Sequence, residues 1–107
     1  MSEEDLERDL ERLRRAYRGK LNGKLAELDL LLGEARKLPE REQLEAARDL
    51  AHTLQGTSGS YGFDESSAEF WRIEERLDHL LEGASEGAAA AWNEIEGALK
   101  RARIACS

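Results

Sequence analysis

Residues 51–63 read Ala51-His52-Thr53-Leu54-Gln55-Gly56-Thr57-Ser58-Gly59-Ser60-Tyr61-Gly62-Phe63, and the fold of the chain is read outward from them. The first half continues a pattern in which Leu44, Ala47, Ala51, Leu54 and Ser58 recur at steps of three and four, with Leu50 at the margin. This is the core stripe of a helix spanning about residues 40–60. At about 100° per residue, His52 points roughly 130° away from the centre of that stripe, toward solvent. Gly56 follows one turn later and Gly59 about two turns later, on the histidine's own face. Glycine in a helix interior costs roughly 1 kcal/mol relative to alanine. Two of them beside one exposed imidazole indicate a surface kept clear for close approach. The helix ends in Gly59-Ser60-Tyr61-Gly62, which reads as a turn.

Upstream, Leu6, Leu10, Leu13, Tyr17, Leu21, Leu25, Leu28, Leu32 and Ala35 form one apolar stripe. It predicts a long helix over about 3–37, which Gly19 and Gly23 are expected to kink or interrupt. Pro39 ends it and suits the first turn of the next helix, where Glu40 and Glu42 complement the helix dipole. Downstream, Asp64 or Ser66 is placed to cap a third helix over about 64–82. Its stripe is Phe70, Ile73, Leu77, Leu80 and Leu81, and Gly83 terminates it. Ser85 is placed to cap a fourth helix over about 86–105, with Ala88, Trp92, Ile95, Leu99 and Ala102 inward. Short connections between long helices predict antiparallel neighbours. The expected fold is therefore all-α: an up-down four-helix bundle with a long or interrupted N-terminal helix.

The 107 residues are read as one domain, 1–107, with one core. The formal net charge of −7 argues against nucleic acid and anionic membranes as partners. The single cysteine, Cys106, allows no intramolecular disulfide, which fits a reducing compartment. Its position next to the C-terminus predicts an incidental residue. The start Met1-Ser2-Glu3-Glu4-Asp5 is unlike a basic-then-apolar signal peptide, and no apolar run approaches the ~20 residues of a membrane span. A cytoplasmic location is expected. No His, Cys, Asp and Glu set has metal-ligand spacing, and Gly59-Ser60-Tyr61-Gly62 lacks the phosphate-loop pattern.

Several residues carry a resemblance. His52-x-Leu54-Gln55-Gly56, Gly62 ten positions after the histidine within Tyr61-Gly62-Phe63, and Glu74 near the middle of the next helix resemble the histidine-containing phosphotransfer (HPt) domain. The resemblance covers about residues 10–105. It implies a four-helix bundle without an ATP site, a phosphotransfer intermediate rather than a free-standing kinase. His52 is then the phosphoacceptor, taking a phosphoryl group from a receiver-domain aspartyl phosphate or a histidine kinase and passing it on. No intrinsic cofactor is implied; Mg²⁺ comes from the partner receiver. A monomer is expected. The family usually has lysine where Gln55 stands, and Ser66 and Glu69 stand where it often has small or apolar core residues. The alternative reading keeps the fold and drops the chemistry: an interaction module that docks on a receiver without being phosphorylated.

The chemistry needs little beyond an accessible ring. With an unperturbed pKa of about 6.5, most imidazole is a neutral nucleophile at neutral pH. Phosphoryl transfer depends mainly on positioning and charge neutralisation. Gly56 and Gly59 leave room beside the ring, Gln55 offers an amide donor, and Arg48, one turn before His52, offers charge. Glu45 and Asp49 lie on or near the same face, as candidates to orient the ring N–H. His79 is read as surface or core edge, and the cluster Arg14, Arg15, Arg18, Lys20 and Lys24 as surface charge. Trp92 is assigned to the core. Trp71 lies off the main stripe and is the better candidate for a contact role.

Overall fold

A computed structural model describes residues 2–83 and 86–106. Among these residues the chain forms four helices: α1 (Glu3–Lys37), α2 (Arg41–Ser60), α3 (Asp64–Leu81) and α4 (Ala88–Cys106). Each packs on its neighbour in sequence, and α4 closes back against α1. The up-down four-helix bundle follows. Ser85, the expected cap of α4, lies outside the described residues.

The α2 stripe is the clearest case of sequence becoming packing. Leu44, Ala47, Ala51, Leu54 and Ser58 are all buried. The first four meet Leu21, Leu25, Leu28 and Leu32 of α1, Phe70, Ile73 and Leu77 of α3, and Trp92, Ile95 and Leu99 of α4 in one core. Leu80 and Leu81, placed in the α3 stripe, are only partly buried and pack at its edge. Trp92 is buried and Trp71 exposed.

α1 runs through Gly19 and Gly23 without a break. A Cβ at either position would meet nothing within 4 Å, so neither glycine marks a kink. Ser2 caps the helix, its hydroxyl accepting from the Asp5 N–H at 3.3 Å, and Glu3, Glu4 and Asp5 complement the dipole. The first third of the α1 stripe departs from expectation. Leu6, Leu10 and Leu13 are exposed. The reason is length: α1 has 35 residues against 20, 18 and 19 for the others, so its N-terminal turns outrun the bundle. The long axis of the molecule is accordingly 56 Å, against 19 and 18 Å across.

The other departures concern helix ends. Pro39 lies outside α2, with Glu40 as the extended cap residue, making no side-chain cap bond. Gly59 and Ser60 are still helical; the turn is Tyr61-Gly62-Phe63. Gly62 sits at φ +82°, a left-handed conformation that glycine adopts without penalty. It lets the Phe63 N–H return to the Ser58 carbonyl at 2.8 Å. The N-cap of α3 is Phe63, not Asp64 or Ser66. Ser66 is instead buried, with its hydroxyl 2.9 Å from Cys106 Sγ. Cys106 is therefore a core residue where α3 and α4 meet rather than an incidental end.

Tyr17 ties α1 to this turn. Its ring stacks on Tyr61 at 4.4 Å between centroids, and its hydroxyl shares hydrogen bonds with Thr57 (2.8 Å) and Ser58 (3.1 Å). Arg14 donates to the Tyr61 carbonyl at 3.2 Å, and the Arg18 guanidinium lies over the Phe63 ring. Two of the arginines read as plain surface charge thus help hold the α2–α3 corner.

Candidate functional site

The site lies where the exposed side of α2 meets α3. His52 occupies the middle of α2 with its side chain 67 % exposed, because the apolar residues on either side of it turn the opposite way. Its Nδ1 lies 2.8 Å from Oε1 of Glu74 on α3. Glu74 is only 14 % exposed. A carboxylate held this way is an acceptor, so it selects the tautomer with the proton on Nδ1 and the lone pair on Nε2. Neither Glu45 nor Asp49, the carboxylates expected near the ring, takes this part. Glu45 accepts from Arg41 at 3.0 Å, and Asp49 from Arg48 at 3.4 Å.

Arg48 is committed to the protein. Its Nε donates to Asp78 Oδ1 of α3 at 2.7 Å. The Asp78 hydrogen bond and charge raise its pKa above the ordinary guanidinium value, so it stays charged. Much of that charge is answered by Asp78. Around His52, a shallow depression is lined by Gln55, Trp71, Glu74, Glu75 and Asp78. The lining is thus one amide, one aromatic face and three carboxylates. Trp71 is 52 % exposed, an apolar surface beside the imidazole.

The two glycines have different surroundings. A Cβ at Gly56 would meet nothing within 4 Å, so the space beside the ring is open. A Cβ at Gly59 would come within 3.3 Å of Ser67 Oγ on α3. Gly59 is exposed and also borders the α2–α3 seam. Ser67 uses the closeness to donate to the Gln55 carbonyl at 2.8 Å, holding the backbone beneath the Gln55 side chain. His79 is half-buried at the end of α3, consistent with a core-edge residue.

Among the described residues, no group of three or more His, Cys, Asp or Glu could hold a metal ion, and no helix is long and apolar enough to cross a membrane. Sequence reasoning missed the partnership of Glu74 with Nδ1 and of Asp78 with Arg48. Both join residues more than twenty positions apart, and helical spacing within α2 carries no signal for them.

In comparison with known proteins, the family model for the Hpt domain matches residues 1–105. No curated protein and no solved structure matches the chain.

Proposed function

From the premise that this chain belongs to the Hpt-domain family, we propose that it is a phosphorelay intermediate in a two-component pathway in the cytoplasm, with His52 as the residue that carries the phosphoryl group. The observation that carries the reading is the exposed His52 ring with Nδ1 held by Glu74 at 2.8 Å. The Nε2 lone pair attacks the phosphorus of an aspartyl phosphate on a receiver domain. The bond from phosphorus to the aspartyl oxygen breaks, and the aspartate leaves as a free carboxylate. The proton on Nδ1 stays in place, and Glu74 stabilises the positive charge that develops on the ring. The reverse step returns the group to a receiver aspartate. A histidine kinase is the alternative source of the group. The receiver brings the Mg²⁺ and cationic side chain that neutralise the transferring group.

Gly56 leaves room for the partner's loops, and the exposed face of Trp71 offers apolar contact area beside the ring. Gln55 supplies an amide where the family usually has lysine. With Glu74, Glu75 and Asp78 around it, a phosphohistidine here meets repulsion that Arg48 only partly offsets. Such a group is favoured to leave, which suits a carrier.

The same acidic surroundings support a second reading, a module that docks on a receiver and is not itself phosphorylated. The two are separated by incubating the chain with phosphorylated receivers and measuring acid-labile phosphate. Label on the wild type and none on His52→Gln supports the carrier. Tight binding without label supports the docking module.

A further inference from the structure

We infer that the protruding N-terminal part of α1 is a self-association surface, on which a second copy of this chain lays its own α1 antiparallel. This inference is independent of the chemistry at His52. Its first ground is the stripe Leu6, Leu10 and Leu13, exposed at 51, 44 and 53 %. The three are spaced by four and three residues, the repeat of a two-helix seam. Farther along, the same face is covered: Tyr17 stacks on Tyr61 and Leu21 is buried. The bundle thus leaves about three turns of a helical seam without a partner.

Charge decides the occupant. Between residues 3 and 11 stand six carboxylates, Glu3, Glu4, Asp5, Glu7, Asp9 and Glu11, against one arginine, Arg8. Between residues 12 and 20 stand five cations, Arg12, Arg14, Arg15, Arg18 and Lys20, with no acidic residue. Two copies side by side in parallel set acidic against acidic and basic against basic. Two copies antiparallel set the acidic turns of each against the arginines of the other, while Leu6, Leu10 and Leu13 close on one another. The segment is complementary to itself in that orientation alone, and a two-fold axis closes the pair. His52 lies nine residues along α2 from Tyr61, about 13 Å at 1.5 Å per residue, so the pairing leaves the imidazole open. So short a seam belongs to the class of small, weak interfaces, below about 1,200 Å². The monomer expected from the sequence is then the low-concentration species.

Sedimentation velocity of the full chain over a wide concentration series tests this. The expected result is a mean mass that rises toward twice that of one chain at low salt and falls back at high salt. Leu10→Glu, at an exposed position, is expected to keep its helical circular dichroism and remain monomeric throughout. Two charge-reversed variants test the orientation: Glu4→Lys with Glu7→Lys, and Arg12→Glu with Arg15→Glu. Each is expected to be monomeric alone, and the two are expected to associate when mixed. A wild type that is monomeric at every concentration overturns the inference. So does a dimer indifferent to Leu10→Glu, or a mixture of the reversed variants that stays monomeric.

Discussion

The Nδ1 atom of His52 and the Oε1 atom of Glu74 lie 2.8 Å apart across the α2–α3 seam, joining an exposed ring to a largely buried carboxylate. The contact fixes both the orientation of the imidazole and the site of its proton. The first prediction follows. Nitrogen-15 NMR of His52 at neutral pH is expected to show the Nδ1–H tautomer in excess. In Glu74→Ala that excess is expected to vanish and phosphoryl uptake to slow by about 10- to 100-fold, the usual cost of a misplaced reacting group. An unchanged tautomer in the variant would falsify the role given to Glu74.

Gly56 and Gly59 are expected to answer differently to the same substitution. Gly56→Ala enters open space and is expected to raise stability by about 0.5–1 kcal/mol through the backbone term. At Gly59 the new methyl meets Ser67 Oγ at 3.3 Å, which cancels that gain. Gly59→Leu is expected to destabilise by roughly 1–3 kcal/mol through overpacking. Urea unfolding of the variants measures this. Gly56→Phe is expected to unfold like wild type yet block phosphoryl transfer, because it fills the space beside the ring.

The charge around His52 leads to a third prediction. Gln55→Lys is expected to speed phosphorylation or prolong the phosphohistidine, since a cation there offsets the carboxylates of Glu74, Glu75 and Asp78. Asp78→Asn is expected to act in the same direction, by removing one carboxylate and releasing Arg48 from a 2.7 Å ion pair. Arg48→Ala is expected to slow transfer, with partial rescue by Gln55→Lys. Time courses of phosphate incorporation, with His52→Gln as the blank, rank these variants. A blank that takes up label rejects His52 as the site.

Cys106 carries a pH dependence of stability. Burial, chiefly, pushes its thiol up, against smaller downward pulls from the Ser66 hydrogen bond and the Arg18 charge. The folded protein then keeps this proton to higher pH than the unfolded chain does, so unfolding releases it and stability falls as pH rises. The contribution is complete below the ordinary thiol range, about 8.5, and is lost as pH climbs through the raised value. Thermal melts from about pH 7 to about pH 10 are expected to fall more steeply for wild type than for Cys106→Ala. Parallel slopes would remove the thiol from the account.

Much of this protein is legible along the chain because a helix in a bundle buries one face and the period of 3.6 residues is local. The residues 44, 47, 51, 54 and 58 read as the α2 core are the ones buried, and His52 faces solvent for the same reason. The resemblance around His52 likewise pointed to the family whose model covers residues 1–105. Helix ends were less legible. Ser66 has the chemistry of a cap, but its hydroxyl is 2.9 Å from Cys106, forty residues away, because the close of α4 brings that sulfur over the start of α3.

What the sequence determined by itself is therefore the set of helices, their inward faces, and the histidine that stands away from the core. All of these follow from local spacing and burial. What only the tertiary structure decided is which side chains meet across the seams. Glu74 rather than Glu45 or Asp49 takes the imidazole, Asp78 takes Arg48, Gly59 makes way for Ser67, and the Leu6–Leu13 stripe is left without cover. Each depends on the axial offset and rotation of one helix against the next. Those are set by the packing of the whole core and by the unequal helix lengths, and no periodicity within a single helix encodes them.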